Sequence, residues 1–338
     1  MNALQVIWFF LIGILLAGYA ILDGFDLGVG LWYLFARKDE ERRTLHNAIA
    51  PVWDGNEVWL LTGGGALFAA FPPVYAAVFS GLYLPLMLVL LGLIFRAVSI
   101  EFRSKLNSSR WRGAWDIAFA CGSFLPALLF GVAIGNLLHG LRLDVEGNYA
   151  GTFFDLLNPY ALLIGLLGLS MFAMHGALYI VLKTDGELAA QARQWAKIAW
   201  VVARILFLAS ALATVFFEPQ LFANFTKWPA LWVIPFLVLG LLISVGYFHK
   251  RERAGAAFLA SALSFAGLLA LTGASIFPNL VPIIGAHGFG LSIYNASSSQ
   301  TTLTVMLILA LIGMPLVIGY TIWIYRTFRG KVAAQGWY

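Results

Sequence analysis

The sequence predicts an all-α, polytopic membrane protein, and three observations carry that reading. Hydrophobic residues make up 61% of the 338 residues and charged residues only 11%, against ~45–50% and ~25% in soluble domains. The apolar residues gather in runs of about 20, the length that crosses a hydrocarbon core as a helix. Aromatic residues reach 15%, with 12 Trp, as expected where a chain meets membrane–water interfaces many times. This composition excludes an ordinary soluble globule and a charge-rich disordered chain. The single cysteine, Cys121, excludes an intrachain disulfide and a thiolate cluster.

Nine spans are expected, near 5–30, 48–70, 74–100, 116–139, 159–182, 198–217, 229–248, 256–278 and 303–325. The whole chain, 1–338, reads as one transmembrane domain with no soluble module or long linker. The first run has no Lys or Arg before it and is too long for a signal core, so it reads as a mature span. Orientation comes from the loops. Arg37, Lys38, Arg42 and Arg43 lie in the first loop, and Arg103, Lys105, Arg110 and Arg112 in the third. Lys183, Arg193 and Lys197 lie in the fifth, Lys250, Arg251 and Arg253 in the seventh, and Arg326, Arg329 and Lys331 in the tail. The even loops hold Arg142 and Lys227, and only Arg96 and Arg204 fall near or inside spans. Basic loops stay cytoplasmic, so the N-terminus is expected outside and the C-terminus inside. The scattered basic residues suggest no nucleic-acid partner. Gly24 with Gly28, Gly131 with Gly135, and the Gly63-Gly64-Gly65 run permit close helix contact.

Four acids fall inside predicted spans: Asp23 and Asp26 in the first, Asp54 and Glu57 in the second. Each pair is spaced i, i+3 and so shares a helix face. An ionised acid at a helix centre costs ~2.5–3.5 kcal/mol to insert. These faces should therefore meet the bundle interior, a partner subunit or a wet cavity. With Arg96 and Glu101 at the end of the third span, they gather at one depth near the cytoplasm. Such a group reads as a proton inlet or relay. The alternatives are structural. Asp26 and Arg96 could form a packing ion pair, and Asp23-Gly24 could mark a helix break.

Among the histidines, His46, His139 and His249 read as interfacial, and His287 lies in an outside loop. His175, beside Met174, is the one deep in a span; it could ligate haem iron, though a hydrogen-bonded core histidine is the commoner outcome. No two histidines have the spacing of a metal site on one helix, so no metal is expected on this chain. Trp53 fits an interface belt, whereas Trp59 lies deeper and could wall a cavity.

Particular stretches resemble subunit II of the cytochrome bd quinol oxidases. They are Ile21-Leu22-Asp23-Gly24-Phe25-Asp26-Leu27-Gly28, Ala50-Pro51-Val52-Trp53-Asp54-Gly55-Asn56-Glu57-Val58-Trp59, Gly63 to Pro72, Phe95-Arg96, and Glu101-Phe102-Arg103-Ser104-Lys105. Gly135-Asn136-Leu137-Leu138, Thr184-Asp185-Gly186-Glu187-Leu188 and Ser298-Ser299-Gln300 extend the resemblance along the chain in the family's order. It implies nine helices arranged as two four-helix bundles plus one peripheral helix, in a bacterial or archaeal cytoplasmic membrane. It implies pairing with a larger subunit I, and in some members small accessory subunits. The complex would oxidise quinol and reduce dioxygen to water, with haem b and haem d held mainly by subunit I, and a structural quinone in some members. The resemblance makes Asp54 the first candidate for a cytoplasmic proton path, with Asp23, Asp26, Glu57 and Glu101 as further candidates. It makes Arg96 a candidate partner of a haem propionate and Trp59 a candidate on the dioxygen path. Glu57 stands where some members have Gln. Two other readings of the same acids are a proton-coupled transporter and a purely structural subunit.

Overall fold

The computed structural model describes residues 3–144, 147–282 and 290–332; His287 lies outside them. Helices follow the apolar runs. α1 (Ala3–Trp32) leads to a short α2 (Asp39–Ile49), then α3 (Trp53–Ala70), α4 (Pro72–Gly81) and α5 (Tyr83–Phe102). α6 (Ser109–His139), α7 (Pro159–Lys183) and α8 (Gly186–Phe217) follow. After a five-residue α9 (Ala223–Lys227) come α10 (Val233–Lys250) and α11 (Ala254–Ile276). β1 (Asn279–Val281) and β2 (Leu291–Ser292) pair antiparallel, and α12 (Gln300–Thr327) ends the order.

Among the described residues, eight helices are long and apolar enough to cross a membrane: α1, α5, α6, α7, α8, α10, α11 and α12. The expected second span, 48–70, corresponds to α3, which is not among those eight. It has 18 residues and carries Asp54, Asn56 and Glu57 in its first two turns. The segment before it is separate. Asp39, Glu40 and Glu41 fall in the first turn of α2, where carboxylates favour helix, and Glu41 accepts hydrogen bonds from the Arg37 and Lys38 amides at 2.8 and 3.1 Å. The expected third span, 74–100, is broken at Leu82 into α4 and α5. Pro85 cannot donate to the Gly81 carbonyl, and that missing bond favours the break. α8 begins at Gly186 rather than near 198. By contrast, α1 runs unbroken through Asp23-Gly24, so that pair marks no helix break.

Packing radiates from α1 and α7. α1 lies against α3, α6, α7 and α11; α5 covers α6; α7 also meets α8 and α11; α10 joins α8 and α11. In α7 61% of the apolar window is buried, whereas in α12 none is, so α7 is central and α12 peripheral. α1 and α7 cross at Gly28 and Gly176, where a Cβ on either would collide with the other helix's backbone. α12 is fastened near its ends. At one end Trp8 Nε1 donates to Leu303 O at 3.0 Å and Ser298 Oγ to Ala69 O at 2.6 Å. At the other, Tyr325 Oη donates to Asn56 Oδ1 at 2.9 Å and Lys183 Nζ to Phe328 O at 2.6 Å.

Candidate functional site

The sequence of α1 places Asp23 and Asp26 one turn apart in a stretch, 23–30, that is buried throughout. α5 brings Arg96 to the same level, and α3 brings Asn56 and Glu57. The side chains of Arg96 and Asp23 have no exposed surface, and that of Glu57 is 25% exposed. Arg96 Nη2 donates to Asp23 Oδ1 at 2.6 Å and to Glu57 Oε1 at 2.5 Å. Asp26 is paired differently: Asn56 Nδ2 donates to Asp26 Oδ2 at 2.7 Å and to Leu22 O at 3.1 Å. The Asn56 carbonyl accepts from Tyr325, so its amide is engaged at both ends. The alternative of an Asp26–Arg96 ion pair is thus replaced by an Arg96–Asp23–Glu57 triad beside an Asp26–Asn56–Tyr325 chain.

The triad is incompletely satisfied. Arg96 Nε and Nη1, Asp23 Oδ2, Asp26 Oδ1 and Tyr19 Oη are buried without a protein hydrogen-bond partner. Buried polar groups are almost always paired with protein or ordered water. Five orphaned atoms at one level therefore describe a site suited to internal water.

The other candidates lie apart. Asp54 and Glu101 are exposed, Asp54 in the first turn of α3 and Glu101 near the end of α5. Asp54 stands one turn before Glu57 on the same helix face. Trp59 packs over Gly18 of α1, where a Cβ would collide with its ring. His175 is fully buried with both ring nitrogens occupied: Nδ1 faces Ser261 Oγ at 2.5 Å and Nε2 faces Ile21 O at 3.0 Å. It is stacked on Phe258 with centroids 4.4 Å apart. This ring does not fit an iron ligand; it is a hydrogen-bonded core histidine.

Sequence reasoning missed a second ionic cluster. Asp116 at the start of α6 is 2% exposed. It accepts from Arg103 Nε at 2.5 Å, Arg42 Nη1 at 2.6 Å and Tyr33 Oη at 3.0 Å. Arg103 Nη2 also donates to Asp39 at 2.7 Å. An acid just after the basic third loop was the available signal; reading it as a span end hid it. Far away, His139 pairs with the buried Glu218.

Residues 4–328 match the family described as cytochrome bd terminal oxidase subunit II. The chain belongs to the cytochrome bd terminal oxidase subunit II family. It is 39% identical over 368 residues to "Cytochrome bd-I ubiquinol oxidase subunit 2" of Escherichia coli K12, covering 99% of this chain and 96% of that protein. It is 35% identical over 334 residues to "Cytochrome bd ubiquinol oxidase subunit 2" of Bacillus subtilis 168, covering 98% of each. "Probable cytochrome oxidase subunit 2" of Haemophilus influenzae is 39% identical over 362 residues, covering 98% and 96%. In fold, the chain is similar to a chain in the structure of bd oxidase from Geobacillus thermodenitrificans: TM-score 0.79, 19% identity, covering 96% of this chain and 98% of that one. As a bd oxidase subunit II it is a multi-pass membrane protein of a respiratory oxidoreductase, and its family implies a partner subunit I and haem within the complex.

Proposed function

We propose that this chain supplies part of the cytoplasmic proton path of a bd-type quinol oxidase, while subunit I holds haem b and haem d. The observation that carries the reading is the graded burial of its acids. Asp54 is exposed, Glu57 is partly covered, and Asp23 is enclosed with Arg96 beside Asp26. Protons entering at Asp54 reach Glu57 one turn away, then the Asp23–Arg96–Asp26 level, where the orphaned polar atoms suit bridging water. Haem supplies electron transfer and dioxygen reduction in the complex. His175 does not fit an iron ligand, and no step here passes through haem on this chain. Arg96 is enclosed by its own chain and holds two carboxylates. Its part in this reading is to organise the acids, since its side chain has no exposed surface through which a group of another subunit could reach it. Trp59 remains the candidate on a dioxygen path.

The topology belongs to the same proposal: nine spans with α3 as the second, N-terminus outside and C-terminus in the cytoplasm of a bacterial or archaeal cell. The bundles are α1, α3, α5, α6 and α7, α8, α10, α11, with α12 peripheral. The chain acts as one transmembrane domain. α3 is too polar for a lipid-facing span, and its exposed Val58, Leu61 and Thr62 support cover by subunit I; accessory subunits, a structural quinone and membrane lipids complete the expected surroundings. Quinol would release protons outside while dioxygen reduction draws them from inside. Each charge so separated represents about 2.3 kcal/mol per 100 mV, and no pump is needed.

Asp23→Asn and Asp26→Asn, each in the assembled complex, test the proposal through quinol-driven oxygen consumption and proton uptake. Both rates should fall about 100-fold with the haem spectrum intact. Unchanged rates would move the proton route elsewhere. Loss of haem absorption with normal activity in the residual complex would favour a structural role.

A further inference from the structure

The proton path leaves one intramembrane cation unused. Arg204 lies within α8, about 10 Å along the axis beyond Lys197 at ~1.5 Å per residue. Among the described residues no salt bridge joins it to a carboxylate, and its Nε is buried without a hydrogen-bond partner. Its guanidinium stacks on Trp200, with Cζ 3.7 Å from the ring centroid. Trp200 is itself held to α10. Its Nε1 donates to Leu242 O at 2.6 Å, and its ring fills the space over Gly246 that a Cβ would occupy.

Arg204 is the deepest member of a stripe. Arg193, Lys197, Trp200 and Arg204 follow one another by four, three and four residues, so they share one face of α8. The stripe continues through Leu208, Ala211 and Val215, all exposed. Glu252 is the acid at its rim, lining a small cavity with Arg193 and His249. Helical side chains lean toward their N-terminus, so Arg204 reaches back toward the leaflet where α8 begins. Cationic at one end and apolar beyond, the stripe has the sequence of parts found in a phospholipid.

We infer that it seats an anionic phospholipid of that leaflet. Arg204 and Lys197 take the phosphate, and the acyl chain lies along Leu208, Ala211 and Val215. The clamped indole fixes the guanidinium so that its free N–H groups face the phosphate, a geometry suited to phosphate oxygens. Basic pockets between membrane helices are recognised headgroup sites. A free phosphate ion would leave the apolar continuation unexplained.

Native mass spectrometry of the assembled complex tests this, after release from nanodiscs of phosphatidylcholine alone or mixed with phosphatidylglycerol. Wild type should retain phosphatidylglycerol in preference to phosphatidylcholine. Arg204→Gln and Lys197→Gln should each weaken that retention about fivefold, the effect of one basic group near a lipid surface. Arg204→Lys should keep most of it, and oxygen consumption should be unchanged throughout. Equal retention of the two lipids, or undiminished preference in the Gln variants, overturns the site. Inorganic phosphate displacing the retained lipid in detergent would overturn the lipid assignment in favour of a free anion. Should Arg204→Gln fail to assemble, the exposed Lys197→Gln carries the same two outcomes.

Discussion

His46 shows how one enclosed residue sets a pH response. It lies between Tyr33 and Phe119, with ring centroids 4.6 Å from each. Burial, aided by the Arg103 guanidinium, pushes its pKa down from 6.5 to about 3. The folded protein therefore refuses a proton that the unfolded chain accepts near pH 6.5, and acid favours unfolding. The stabilisation is complete above pH 6.5. It falls by about 1.4 kcal/mol per unit of pH below that, down to about pH 3. The thermal midpoint of the complex should drop between about pH 7 and 5, and His46→Phe should flatten that dependence. The residues themselves were unevenly legible. Asp23, Asp26, Glu57 and Arg96 were found because charge inside an apolar run is costly and must be explained. Their pairing was not, because two acids one turn apart on α1 could each have met Arg96; only the placement of Asn56 on α3 decides it. Asp116 escaped because a charge at a span end carries no such penalty.

Helix by helix, the apolar runs located the long helices, and the departures have local causes. α2 was read as loop because its apolar stripe is short, although three acids ahead of two arginines are a helix-start pattern. The break at Leu82 follows from one missing amide at Pro85. α8 extends toward Gly186 because its first turns are amphipathic, with Leu188, Ala189 and Ala192 buried. The crossing of α1 and α7 was foreshadowed by the glycine content, yet Gly24-xxx-Gly28 could not say which helix it meets. Gly176 is the answer, and it allows no side chain. Gly176→Val should force the two helices apart and destabilise the complex by about 1–3 kcal/mol or more. A lowered thermal midpoint and poorer recovery of haem-loaded complex should reveal it, whereas Gly64→Ala, with open space around its Cβ position, should leave both unchanged.

For the whole molecule, family membership and the ionic cluster bear on the same end of the structure. Asp54 joins them only if it communicates with Glu57, since on this chain it is exposed and outside the cluster. Asp54→Asn in the assembled complex should slow turnover and proton uptake together while leaving thermal stability nearly unchanged, because no buried charge is orphaned. A matched loss of stability would make Asp54 an interface residue instead. α12 adds a mechanical corollary. Its hydrogen bonds to the rest of the chain lie near its two tips, with Met306, Leu307 and Ala310 packed on the core between them, and near one tip is Tyr325, whose hydroxyl holds the amide that holds Asp26. A tilt of this helix would therefore act, through a single phenol, on an enclosed carboxylate.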